Sequence, residues 1–471
     1  MLTKIKTDII PVKQHFVKVQ GKPVLDKKAI CAFVATGFFL DNDTYWDNLK
    51  VLKPGTINEI DAHGNLVTSK QWFHWYYKPR AISFDQAVAE FTQLFDDINT
   101  SELDGRQVIL PLSGGLDSRS QAASLLPQSN KVHAFSYSFS GGYKESEIAR
   151  KVAKNAKFTF DAFKIESGYL WRNLDFAAQT NKCYAEFTHC TQLCVLDQFD
   201  DMGEIFSLGH WGDVLFDRMI RINSSSIDLL QILKKKIVKP MGFAMATDLW
   251  KMWNIEGDFE TYFNERLKTM LDAIEIDNPD AKLRAFKSMY WAPRWTSVNL
   301  AFYEKKHPIS LPYYNNKICE FICTIPEDYL ADRKIQIAYI KNKSPKIAGI
   351  TWLDKRPFNL YNYHLSKAPF NWPYKIKNRL KRDINALLGS QYIQRNWELQ
   401  FLGDSNSKQL KSYLDNSNLN DIVDHDIVDK YARLFNRGNQ KHTSHSLSML
   451  LTLAAFSNHY LNNFELHSNN S

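Results

Sequence analysis

The chain has 471 residues, a formal charge of +8, 44% hydrophobic residues and 23% charged residues, which excludes a disordered chain and leaves room for about two or three domains around a sizeable core. The charge is modest for this length and demands no nucleic-acid partner, and no stretch reaches the roughly 20 apolar residues of a transmembrane segment. The six cysteines, Cys31, Cys183, Cys190, Cys194, Cys319 and Cys323, contain no Cys-x2-Cys pair; they read as buried reduced thiols, with Cys190/Cys194 and Cys319/Cys323 at helical spacing, and with the absence of a signal-length apolar run near Met1 they point to a cytoplasmic protein.

Residues 1–80 mix β-branched and aromatic residues with turn signals at Asp41-Asn42-Asp43, Lys53-Pro54-Gly55 and Asp61-Ala62-His63-Gly64-Asn65. This predicts short strands at Thr56–Ile60, Leu66–Thr68 and Gln71–Tyr77. Ser83 followed by Gln86 has the pattern of a capping box and opens a helix.

The apolar run from Val108 to Leu112 ends abruptly in Ser113-Gly114-Gly115, followed by Leu116-Asp117-Ser118 and helix-compatible spacing to Leu126. The order is buried strand, glycine turn, helix N-terminus. Such a terminus presents unpaired N–H groups and positive dipole, and glycines let an anion approach them. Ser113 and Ser118 can add hydroxyl donors, and Asp117 can hold a divalent cation against bound phosphates. The stretch reads as a pyrophosphate cradle with its own Mg²⁺ ligand, and the lack of a Gly-Lys-Ser/Thr ending separates it from a Walker A loop.

Val132–Phe139 and Phe158–Ile165 are further strand candidates, with a helix from Glu145 to Ala153 between them. Strands alternating with helices predict an α/β fold, a parallel sheet flanked by helices with ligands at the carboxyl ends of its strands. Glu145 and Glu147 either orient metal or substrate, or simply complement a helix dipole. Another strand-to-turn junction runs from Ile205 through Gly209, His210 and Asp213 to Asp217. Residues 221–290 and 361–471 have helical patterns, the last closing with an apolar helix at Leu447–Leu461. Lys375, Lys377, Arg379, Lys381 and Arg382, beside Trp372 and Tyr374, are either a solvated helix face or a contact for an acidic membrane surface or polymer.

The motif Ser113-Gly114-Gly115-Leu116-Asp117-Ser118 resembles the loop of the ATP pyrophosphatases, and within them the synthetase domain of the asparagine synthetase family. Glu145 with Ala149-Arg150-Lys151-Val152-Ala153 resembles that family's second motif, and Leu208 to Phe216 its Ser-Gly-acid-Gly-x-Asp-Glu-Leu-Phe pattern, with Leu208 in place of the Ser and Gly212 at the variable position. Ile350 to Phe358 resembles a segment whose lysine, here Lys355, contacts the phosphates.

The resemblance implies an adenine nucleotide α-hydrolase-like fold using ATP and Mg²⁺. Ser113–Ser118, Ser136 and Gly209 would then contact the nucleotide, Asp117 and Asp213 the metal, and Lys355 the leaving pyrophosphate. His210 replaces the family's glutamate near the acyl-adenylate, and could serve as acid/base or be only a packed histidine. Arg294 falls where a family helix approaches the substrate pocket.

Residues 1–80 resemble a truncated glutaminase domain whose cysteine nucleophile is replaced by Leu2, so the resemblance implies free ammonia, an amine or a separate glutaminase as nitrogen source. The synthetase domain would span 81–360, with 361–471 as its helical extension. The expected reaction is adenylation of a carboxylate followed by amide formation, with sugar acids of surface polysaccharides or specialised metabolites as the leaning. The alternative is a catalytically weakened nucleotide-binding partner protein.

Overall fold

The computed structural model describes residues 2–139, 142, 146–218, 220, 228–387 and 393–468. The N-terminal region supplies β1 (Thr3–Lys6), β2 (Phe16–Lys18), α1 (Lys27–Thr36), β3 (Leu49–Val51), β4 (Thr56–Ile60) and β5 (Leu66–Gln71). β4 lies between β1 and β5 in an antiparallel sheet, and β2 pairs with β3. The strand expected at Gln71–Tyr77 is not formed. After Gln71 the chain leaves the sheet and crosses to the 323–324 turn, where Lys78 N–H donates to the Cys323 carbonyl at 2.9 Å. Its aromatic residues pack on the core instead of alternating across a pleat; Phe73 and Trp75 are buried.

α1 has no polar face by which periodicity could reveal it, because every residue from Ala29 to Thr36 is buried. Asp26 caps it by accepting from Ala29 N–H at 3.0 Å, and Gly37, at φ 82°, closes it in the left-handed region.

The central region runs α2 (Phe84–Leu103), β6 (Val108–Pro111), α3 (Asp117–Ser124), β7 (Val132–Phe139), α4 (Ser146–Ala156), β8 (Thr159–Ile165), α5 (Tyr169–Asn181), β9 (Ile205–Ser207), α6 (Gly212–Leu215) and β10 (Ile309–Ser310). Ser83 and Gln86 form the expected reciprocal capping box at the start of α2. The five strands of this sheet stand in the order β10-β9-β6-β7-β8, all parallel. β6 is central, so both its faces are covered and Val108, Ile109 and Leu110 are all fully buried, which is why it reads as an unbroken apolar run. From β6 the chain proceeds outward through β7 to β8, then returns to the other side of β6 with β9. The strand order therefore reverses between β6 and β9, and the crevice at their carboxyl ends is where such sheets bind ligands.

The rest of the described chain is mostly helical. The closing helix spans Gln440–His459 and begins before the apolar run, and the polar residues Thr443 to Ser446 ahead of that run are themselves buried. His445 anchors them, its Nε2 lying 2.9 Å from the Val34 carbonyl in α1. Among the described residues hydrophobic contacts form one large cluster from Ile9 to Tyr460 and a small separate one of Val17, Leu52 and Ile60. Cys194 ends a short 3₁₀ turn and Cys190 lies between two such turns, so they do not share one helix face; all six cysteines are free, and all but Cys194 are buried.

Candidate active site

The cradle is shaped by its own hydroxyls. Ser113 N–H donates to Ser118 Oγ at 3.0 Å, the two serine hydroxyls lie 2.9 Å apart, and Gly115 N–H donates to Ser113 Oγ at 3.1 Å. Behind the loop, the buried Arg119 guanidinium donates to the carbonyls of Ile350 and Thr351, each at 2.8 Å, and of Gly114 at 3.2 Å. Leu353 N–H donates to the Gly114 carbonyl at 3.0 Å. A Cβ on Gly114 would stand 2.7 Å from Leu353 Cβ, so glycine is required for this docking. The amides of the first turn of α3 have no partner within the helix and remain available to an anion.

The turn after β9 interlocks with the cradle. A Cβ on Gly209 would come within 2.9 Å of the Asp117 carbonyl carbon, and one on Gly212 within 2.2 Å of Asp117 Oδ1. Gly212 is thus what leaves room for the carboxylate. Trp211 stands at φ 80°, an unfavourable region for a bulky residue. Its buried indole donates to Ser288 Oγ at 3.0 Å and packs into the core, which holds it there.

Asp117 is partly buried. Arg333 Nη2 donates to its Oδ1, and Gln336 Nε2 donates to the same oxygen at 3.0 Å. Gln336 in turn accepts from Arg333 Nε at 2.7 Å, and its Nε2 also reaches the Tyr313 hydroxyl at 2.7 Å. Burial pushes the Asp117 carboxyl up to about 6; Arg333 pulls it down and Asp213 pushes it further up. Arg333 was not singled out from sequence. It sits at φ 62° after Asp332 at φ 57°, and no glycine marks that left-handed turn.

Between the two turns lies a cavity of about 540 Å³. Ser113, Asp117 and Ser118 line one side, Ser136 and Tyr137 from the end of β7 another, and Gly209, His210 and Asp213 the third. The far end is walled by Trp211, Val214, Lys287, Trp291, Trp295 and Thr296. Lys287 to Thr296 is a π-helical segment, and it places Lys287, Trp291 and Trp295 along the cavity. The Lys287 ammonium is 4.9 Å from the centroid of Trp291 and 5.6 Å from that of Trp211. Burial lowers its pKa to about 8, with Asp213 opposing. His210 lines the cavity; desolvation lowers its pKa from the ordinary value, Asp213 opposing, which favours an uncharged imidazole able to accept a proton at neutral pH.

The cavity therefore brings together Ser113, Asp117, Ser118, Ser136, Gly209, His210 and Asp213. Gly114, Gly115 and Leu116 complete the cradle beside it. Lys355 is not in the cavity lining. It closes the 353–355 turn that docks on Gly114, and its Nζ is 5.7 Å from the Trp352 ring centroid. Arg294 is directed away from the cavity and ties the N-terminal region in place, donating to the Phe39 carbonyl at 3.4 Å and to Gln14 Oε1 at 3.1 Å. Glu145 lies outside the described residues. Glu147 is exposed in the first turn of α4.

Among the described residues no group of three or more His, Cys, Asp or Glu side chains could hold a metal by itself. Two carboxylates sensing each other's charge suit Mg²⁺ when a ligand supplies the remaining oxygens, which phosphates do.

A parallel sheet with a glycine turn at the carboxyl end of its central strand, faced by an acid-bearing turn across a cavity, is consistent with an α/β nucleotide-binding fold. The asparagine synthase family model matches residues 94–175, from within α2 to within α5, so this segment is similar to the asparagine synthase family. The match supports an ATP-dependent amide-forming ligase in general, and it ends before His210 and Asp213. No curated protein matches the chain.

Proposed function

We propose that the chain is an AMP-forming carbon–nitrogen ligase. ATP binds with its phosphates over Ser113–Ser118 and its base toward Ser136. The substrate carboxylate attacks the α-phosphorus, giving an acyl-adenylate and pyrophosphate; ammonia or an amine then displaces AMP. The cradle amides stabilise the charge that grows on the pyrophosphate. Mg²⁺ bound between Asp117 and Asp213 would neutralise phosphate charge. Lys355, anchored behind the cradle, reaches the leaving group only if the 353–355 turn shifts.

The observation that carries this reading is the placing of Asp117 and Asp213 on two interlocked turns of one cavity. At the far end, Lys287 offers a cation to the acid substrate and the indoles offer flat apolar faces. That chemistry suits a ring-bearing acid such as a sugar acid of a surface polysaccharide or a specialised metabolite. His210, uncharged, accepts the proton of the incoming amine.

Nitrogen comes from solution or from a separate glutaminase. Cys31, the only cysteine in the first 80 residues, is buried, and burial pushes its thiol far above the usual range, so it is no nucleophile. Carboxylate-dependent release of pyrophosphate from ATP tests the proposal, with candidate uronic acids as the first panel.

One observation favours a second reading, a nucleotide-binding protein of weakened activity: Arg333 holds the Asp117 carboxylate. ATP binding without any acid-dependent pyrophosphate would select it.

A further inference from the structure

Away from the cavity, exposed apolar side chains gather in one place. Among the described residues, five of the nine exposed large hydrophobic ones, Tyr361, Phe370, Trp372, Ile376 and Leu380, fall within one stretch of 20 residues. Trp372, Ile376 and Leu380 follow one another at four-residue steps on the helix Trp372–Leu387, and are 57, 59 and 57% exposed. That spacing puts them on a single face. Lys375, Lys377 and Arg379, in the same turns, are exposed too. On a helical wheel Lys375 and Arg379 flank the apolar stripe on one side and Lys377 on the other.

We propose that this helix docks on an anionic lipid bilayer surface. A helix lying in the interface buries its apolar stripe at the headgroup boundary, keeps flanking cations at the level of anionic headgroups and favours tryptophan there. Competing occupants match the surface less well. A nucleic acid would use the three cations and leave the three apolar side chains of the stripe in water. A second copy would bring like charges together on both borders of the stripe. The chain's net charge of +8 adds to attraction by an anionic surface.

The helix is joined to the nucleotide cradle by short links. Asn371 N–H donates to the Lys367 carbonyl at 3.2 Å, Leu360 N–H to that of Ala348 at 3.1 Å, and Leu353 N–H to that of Gly114 at 3.0 Å. Membrane docking would thus hold a catalytic region beside the surface. The inference does not depend on the proposed reaction.

Sedimentation of the full chain with vesicles tests it. Vesicles of phosphatidylcholine and phosphatidylglycerol in equal parts should carry the protein down at low salt and release it at high salt. Vesicles of phosphatidylcholine alone should leave it in solution. Trp372→Glu with Ile376→Glu, at positions already in water, should abolish sedimentation at an unchanged thermal midpoint. Lys375→Ser with Lys377→Ser and Arg379→Ser should lower the partition coefficient about a hundredfold. Three results would overturn it: no sedimentation with either vesicle, equal sedimentation with both, or wild-type sedimentation of both variants. Absence of vesicle binding, together with a dimer or duplex-DNA complex abolished by the Trp372→Glu and Ile376→Glu changes, would reassign the face to that occupant.

Discussion

Arg333 reaches the carboxylate of Asp117 from a left-handed backbone position, so the acid at the head of α3 is held by a cation supplied by a segment more than two hundred residues away. Arg333→Gln keeps a hydrogen-bond donor but removes the charge. The Asp117 carboxyl, already at about 6, then rises further because Asp213 is no longer opposed. The expected results are a loss on the order of 2 kcal/mol in urea unfolding and an acid limb of nucleotide binding that moves to higher pH.

The unliganded protein should lose stability in acid through its buried histidines. His445 and His467 have pKa values lowered by burial to about 4 and about 3. Their folded values lie below the unfolded one, so their contribution is complete above pH about 6.5 and is lost as pH falls, on the order of 1.4 kcal/mol per unit for each. Asp117 acts in the opposite sense: its raised value gives stability below pH about 4 that is lost as pH rises through about 6. Two histidines outweigh one carboxyl. Stability measured by urea unfolding should fall between pH 6.5 and pH 4 (both from about the cited values), and His467→Gln should flatten the decline.

Gly212→Ala should damage the site more than the fold. The added carbon would meet Asp117 Oδ1 at 2.2 Å and force the carboxylate away from Asp213. Mg-dependent ATP binding by calorimetry should weaken at least about tenfold, or roughly 1.4 kcal/mol. Gly349→Ala is the control: its new carbon meets nothing closer than 3.5 Å and its φ is −72°. Equal binding by both variants would remove Gly212 from the account.

Lys287 should discriminate the acid from the nucleotide. Lys287→Met is expected to raise KM for the acid about tenfold to a hundredfold and to leave KM for ATP nearly unchanged, with partial recovery in Lys287→Arg. Because its pKa is lowered to about 8, KM for the acid in the wild type should climb above that pH as the ammonium is lost.

The sheet and the cradle were legible because their signals are local. Val108 to Leu110 are apolar on both faces, two glycines follow, and the Ser83–Gln86 box is a four-residue pattern. Asp213 could be placed from its own turn. The parts that were missed depend on distant contacts. α1 is buried all round and carries no period; Gly212 matters only because Asp117 lies against it; Arg333 meets Asp117 through a turn without glycine. Trp72 to Tyr77 has the composition of a strand, but Trp72 and Phe73 both donate to the Gly55 carbonyl, and the chain beyond is drawn to the 323–324 turn by Lys78 and Arg80. Lys287, Trp291 and Trp295 stand at four-residue steps on one helical face, but nothing local to the segment tells that this face lines a cavity and not the core.

The central claim is that Asp117 and Asp213 serve adenylation of a carboxylate. Pyrophosphate release from Mg–ATP, measured with and without a panel of sugar acids for wild type, Asp117→Asn and Asp213→Asn, tests it most directly. The account predicts acid-dependent release in the wild type and a loss of at least about a hundredfold in each variant. Acid-independent release, or full activity in either variant, would contradict it.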